Sequence, residues 1–590
     1  MSIFRTRFEQ LARCLSWRNV PLFAQALLVQ LLFLSAPLGV LLCQSRLDHD
    51  FDVVHYRLNV ALDEKHRSIE GVVTITVTPM IDQLDQISLH SVDLQIRSAE
   101  LEGGEALRYQ SEAGSLIIQL GRGYDRSDTV RLKVTYRAVQ PEKGLSFATT
   151  EFNHSEASLQ IWSQNWDEDA RYWYPCYDKP NDKATFETII RVNNSKEVVS
   201  NGALMDVTVD AKTGDRIYTW LQERPIHTAV HAVAAGDFAV VWDSVDGIPL
   251  TYYVDPQDSA VVKTAFAHTG DMIQFFSRRI GFPYPWQKHA HVALEKLRYV
   301  GMENVSCVFV QGEELKKLRD NPRHSLDGLI AHELAHQWWG NLVTYTDWSQ
   351  LWLSEGFATY FSALYTEYRS GREAFQKEID TMMARYLHED STTFRRPLVY
   401  AFTRDGEDML NRHTYEKGAL VVHMLRYILG DELFWKALSH YVHKHAFGNA
   451  DSEDLRVAIE ESTGEDVQWF FDQWVYGSGY PNLRVAWMWI PTENALRCRV
   501  WQAQRTRPSP RVPDGQGLGE RADALTALFR MPIEVEVETK DGTQRHRILI
   551  EHQQQEFQIP ITSQPLEVRI DPDRWVLKTL QVRKVESFSH

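Results

Sequence analysis

Ala331-His332-Glu333-Leu334-Ala335-His336-Gln337-Trp338-Trp339-Gly340-Asn341, followed by Trp352-Leu353-Ser354-Glu355-Gly356-Phe357-Ala358, encodes two helices and one metal site. On a helix, positions i and i+4 share a face about 40° apart, so the imidazoles of His332 and His336 converge on one ion. Glu333 lies about 100° round from His332, beside the ion, where a carboxylate reaches a water on the metal and serves as general base. A catalytic zinc takes three protein ligands and keeps one position open. After eighteen intervening residues comes Glu355. Leu329, Ile330, Ala335 and Trp339 before it, and Phe357, Tyr360, Phe361 and Leu364 after it, have helical spacing. Two such helices, joined by the turn-like run Thr344 to Ser349 and packed antiparallel, bring Glu355 to the same ion. A His-Glu-x-x-His match alone arises by chance in roughly one chain in twenty of this composition, so the added Glu355 decides against a reading as buried helix histidines.

The 590 residues are 44% hydrophobic and 24% charged, too long a chain for one core, and three or four domains are expected. A net charge of −16 with no long Lys/Arg run argues against nucleic acid as a partner. Asn19 to Ser45 carries no charge and follows Arg5, Arg7, Arg13 and Arg18, the pattern of an export or anchoring segment. The apolar run exceeds a usual signal peptide and shows no small-x-small cleavage site. The expectation is therefore a retained anchor, with the catalytic part outside the cytoplasm, periplasmic or extracellular; a cleaved leader would give a secreted protein. Five scattered cysteines do not make a disulfide framework. Asn153-His154-Ser155, Asn193-Asn194-Ser195 and Asn304-Val305-Ser306 match a glycosylation pattern that is frequent by chance.

Period-two alternation in Tyr56 to Leu62, Gly71 to Val77, Thr129 to Tyr136 and Thr188 to Val192 predicts an antiparallel β domain over 47–245, after a segment 1–46 of export or anchoring type. Beyond Gly247 the period becomes helical, with helices expected over Val261 to Ile280, Leu326 to Leu342, Glu355 to Tyr368, Arg372 to Tyr386, Tyr415 to Leu429 and Leu433 to His443, in a mainly helical domain over 246–480. Alternation returns over 481–590, a small β-sandwich with one Pro/Gly-rich loop, Arg507 to Gly519. The fold class is multidomain α+β.

Four motifs in order, Pro175-Cys176-Tyr177-Asp178-Lys179-Pro180, Gly301-Met302-Glu303-Asn304, the zinc helix with Glu355, and Tyr415-Glu416-Lys417-Gly418, resemble the aminopeptidase N family of gluzincin zinc metallopeptidases. The resemblance covers nearly everything after residue 50. It implies a thermolysin-like catalytic domain holding one zinc ion on His332, His336 and Glu355. Glu333 is then the base, and Tyr415 donates a hydrogen bond to the oxyanion. The segment Gly301, Met302, Glu303 and Asn304 would lie along the substrate, with Glu303 on its free α-amine. Peptides with an unblocked N-terminus are the implied substrates. The sequence departs from the family pattern at Val300, where a glycine is usual, and at Trp166, where an acid or amide follows two positions after Gln164; the second amine ligand is then missing or supplied by Asp167 or Glu168. An endopeptidase on the same centre, and a non-catalytic interaction protein retaining the fold, are the competing readings.

Overall fold

A computed structural model describes residues 49–150, 158–400, 406–504 and 528–588. The expected leader 1–46, the first glycosylation tripeptide and the loop Arg507 to Gly519 lie outside the described residues. Among the described residues no helix is long and apolar enough to cross a membrane.

The N-terminal part is built on a seven-stranded sheet whose central strands are β1 (Phe51–Asp63) and β2 (Ser68–Pro79). In β2 the alternation seen in the sequence becomes burial, with Val73, Ile75 and Val77 facing inward. The sheet is mixed rather than purely antiparallel. β1 pairs in parallel with Ala184–Val192, in register from His55 opposite Thr185 to Ala61 opposite Arg191. No local pattern announces a pairing between strands so far apart in the chain, because each strand's alternation is the same for either direction.

A five-stranded sheet spans Ala239 to Gln311 and opens with the hairpin of Ala239–Val245 and Ile248–Val254, so strand pairing crosses residue 246. Its edge strand is the two-residue Gly301–Met302, paired with Val310 and Phe309. Among the helices that follow, four frame the site: α1 (Asp327–Ala335), α2 (Trp352–Ser370), α3 (Arg372–Thr392) and α4 (Gly418–His445). In α2, Phe357, Tyr360, Phe361 and Leu364 are all buried, as their spacing predicts. α1 stops earlier than the periodicity suggests. The amides of Trp338 and Trp339 both donate to the Ala335 carbonyl, and Gly340 takes a left-handed φ of 105°. α4 breaks at Gly430, φ 74°, where the sequence places the gap between two helices.

The C-terminal part packs a four-stranded sheet (Gln554–Pro560, Ala495–Gln502, Asn482–Ile490, Thr579–Lys584) with a three-stranded one (Gly542–Ile550, Met531–Thr539, Pro565–Ile570). Leu483, Leu496 and Cys498 from the first, and Ile533, Val535 and Val537 from the second, are buried. Cys176, Cys307 and Cys498 are free and buried. Asn304 is 1% exposed, which removes the third glycosylation tripeptide from consideration.

Candidate active site

His332 leaves the last turn of α1 and His336, its C-cap, still with helical backbone angles, leaves the same face; Glu355 enters from the first turn of α2. Their donor atoms form a compact triangle. The two Nε2 atoms are 3.1 Å apart, and Glu355 Oε2 is 3.2 Å from that of His332 and 3.3 Å from that of His336. A tetrahedral zinc with bonds of about 2.0–2.1 Å spaces its ligands about 3.3 Å apart, so the residues present fit the ion. Among the described residues this is the one cluster of His, Cys, Asp and Glu close enough to share a metal.

The orientation of His336 is set from behind. Its Nδ1 lies 3.0 Å from the Trp339 carbonyl and 3.0 Å from Ser354 Oγ. A carbonyl only accepts, so Nδ1 carries a hydrogen and Nε2 is the nitrogen turned toward the triangle. Ser354 Oγ also donates to the Trp339 carbonyl at 3.1 Å, and a Cβ at Gly340 would overlap that hydroxyl.

Glu333, Glu303 and Tyr415 surround the triangle. A Cβ on Gly301 would overlap Glu333 Oε1, so glycine there lets the edge strand lie against the carboxylate. The backbone of Glu303 is held by the tail of the zinc helix. Its carbonyl accepts from Gln337 Nε2 at 3.1 Å and from Asn341 Nδ2 at 2.8 Å. Tyr415 stacks on His332, with centroids 6.1 Å apart and planes 16° apart. It sits on a π-helical turn, His413–Lys417, at the start of α4.

Burial would lower His336, but Glu355, Glu303 and Glu333 around it carry its pKa up to about 10. Burial raises Glu333 well above the carboxylate range, with Glu303 and Glu355 adding to it, and raises Glu303 as well. For Glu355 burial is outweighed by His336 and His332, which hold it low. Burial and then Glu355 and Glu303 push the Tyr415 phenol well above its usual value. Three acids crowded around two imidazoles disfavour one another's ionisation, a setting that a divalent cation or an ammonium group would relieve.

Both residues expected as the second amine ligand accept hydrogen bonds within the chain. Asp167 accepts from the amides of Glu168 and Gly406, and Glu168 from Trp348 Nε1 and Arg171. Trp166 is buried, edge-on to Trp348 at 5.3 Å. Sequence reasoning assigned no role to Gln337, Asn341 or Ser354. The signal was present: three polar side chains inside otherwise apolar, helix-forming runs. Lys183 was also missed. Its half-buried ammonium donates to the carbonyls of Asn341, Leu342 and Gly448 and ties the N-terminal part to the turn that follows α1.

Two family models match this chain: the Peptidase M1 N-terminal domain over residues 53–229 and the Peptidase family M1 domain over residues 264–474. The chain belongs to peptidase family M1. The second match contains the triangle, Glu333, Glu303 and Tyr415. M1 relatives include Aminopeptidase M1 of Arabidopsis thaliana, 31% identical over 361 residues, covering 59% of this chain and 40% of that protein. Aminopeptidase 2, mitochondrial, of Saccharomyces cerevisiae is 28% identical over 450 residues, 73% of this chain and 47% of the relative. Probable aminopeptidase 1 of Sulfurisphaera tokodaii is 27% identical over 451 residues, 73% and 54% respectively. The chain spans about half the length of the curated relatives it matches.

Proposed function

We propose that this M1 chain is a zinc-dependent aminopeptidase that hydrolyses the N-terminal peptide bond of peptides with a free α-amine. The observation that carries the reading is the convergence of a zinc-sized donor triangle, two further carboxyl groups and a phenol on one buried site. Relatives named as aminopeptidases support it.

His332, His336 and Glu355 would hold the ion. When bound, zinc supplies Lewis acidity, polarising the scissile carbonyl and easing loss of a proton from water. Glu333 takes the proton from the attacking water and hands it to the departing amine. The Tyr415 hydroxyl donates to the carbonyl oxygen as negative charge builds there. Glu303 accepts the ammonium N–H groups of the substrate and fixes which bond reaches Glu333. Its backbone, clamped by Gln337 and Asn341, gives that reference point rigidity. The charge-free run 19–45 behind four arginines supports export, with this chemistry outside the cytoplasm and the chain anchored in or released from a membrane.

The test compares one peptide with free and acetylated N-termini, with and without a chelator. Cleavage of the free form alone, lost on chelation, is expected. Equal cleavage of both forms would make the chain an endopeptidase, a reading favoured by Trp166 and by the engagement of Asp167 and Glu168. No cleavage after zinc loading would make it a non-catalytic interaction protein.

A further inference from the structure

Tyr415 depends on an unusual piece of backbone. The Lys417 amide donates to the Arg412 carbonyl at 2.9 Å, the i→i+5 bond of a π-helix. Such a turn holds one residue more than an α-helical turn, has poorer geometry and does not persist without outside support. Collapse to an α-helix would rotate the side chains ahead of it by about 100° about the axis and take the phenol off the face of His332. The support sits on the opposite side of the turn. Residues i and i+2 point about 200° apart on a helix, so His413 leaves the turn away from Tyr415.

There His413 is fully buried between the two acids that end α3. Its Nδ1 lies 3.2 Å from Glu389 Oε1 and its Nε2 lies 3.4 Å from Asp390 Oδ1. The ring stacks on Phe394 at 4.9 Å and meets Tyr386 edge-on at 5.2 Å. Glu389 Oε1 also accepts the Arg412 amide at 2.8 Å, so one carboxylate secures both the backbone entering the turn and its first side chain. Nothing in the hydrolytic step calls for this arrangement, and no atom of it touches the triangle.

We propose that His413, hydrogen-bonded to Glu389 and set against Asp390, is a positioning residue that holds the π-turn and thereby aims the Tyr415 hydroxyl. The proposal rests on the aminopeptidase reading for its kinetic consequence but not for its structural one. His413 acts through Tyr415, so its removal costs turnover only while the phenol is present.

The experiment uses the full zinc-loaded chain and an aminoacyl p-nitroanilide. His413→Leu is expected to lower kcat about tenfold with KM unchanged, and Tyr415→Phe about a hundredfold or more. The double variant is expected to be no slower than Tyr415→Phe alone. A further tenfold loss in the double variant would overturn the proposal, because the histidine would then act on the fold at large. Should the wild type fail to turn over, the aminopeptidase reading falls, and a fluorotyrosine placed at position 415 decides the structural claim. Its fluorine resonance is expected to broaden or split in His413→Leu; an unchanged resonance would overturn it. Glu389→Gln is read by the same criteria if His413→Leu does not fold.

Discussion

Gly356 and Gly418 pack backbone to backbone: a Cβ built on either would lie 2.8 Å from the Cα of the other. Gly356 follows the ligand Glu355 on α2, and Gly418 opens α4 three residues after Tyr415. The contact therefore fixes the distance between the ligand helix and the phenol. Gly418→Ala is expected to force the helices apart, costing about 1–3 kcal/mol of stability as an overpacked site does. It should also lower kcat at least tenfold while zinc stoichiometry stays at one. Thermal unfolding with metal analysis checks this, and a variant of unchanged kcat would show that the crossing does not set the phenol.

Glu333→Gln removes the proton acceptor and keeps the shape of the side chain. Turnover is expected to fall by about 10²–10⁴, the range for a positioned acid-base group. Zinc should remain bound, because no ligand has changed. Near wild-type rates would refute the assigned mechanism.

Ser354→Ala leaves His336 with the Trp339 carbonyl alone behind Nδ1. Loss of such a supporting partner weakens metal binding by about 10–100-fold. Competition with a chelator of known affinity measures it without recourse to activity. Equal zinc affinity would mean that the carbonyl suffices.

His227, His231 and His423 are buried, and burial lowers each pKa to about 3 from an ordinary 6.5. Between those values the unfolded chain takes up protons that the native chain does not. Stability is therefore full above about pH 6.5 and falls as pH drops toward 3, by about 1.4 kcal/mol per pH unit for each histidine. Urea unfolding at pH 7 and pH 5 should show a clearly lower midpoint at pH 5; coincident curves would contradict the assignment.

Much of this was legible in the chain itself. The four-residue spacing of His332 and His336, the inward residues of β2, the buried stripe of α2 and the break at Gly430 follow from backbone periods that hold in any context. The early end of α1 was not legible, because Gln337, Trp338 and Trp339 are all compatible with a helix and it is the turn at Gly340 that stops it. The π-turn was not legible either. Its first side chain, His413, packs against Glu389 and Asp390, which belong to another helix.

The sequence by itself determined which side chains form the candidate metal triangle, that strands precede and follow a helical centre, and which family the chain resembles, since these depend on spacing along a covalent chain of fixed geometry. Only the tertiary structure decided that β1 pairs in parallel with Ala184–Val192, that Asp167 accepts the Gly406 amide and Glu168 the Trp348 indole N–H, and that Tyr415 faces His332. Those outcomes depend on packing between residues tens to hundreds of positions apart. A local pattern is indifferent to its eventual partner, and burial selects among the partners available.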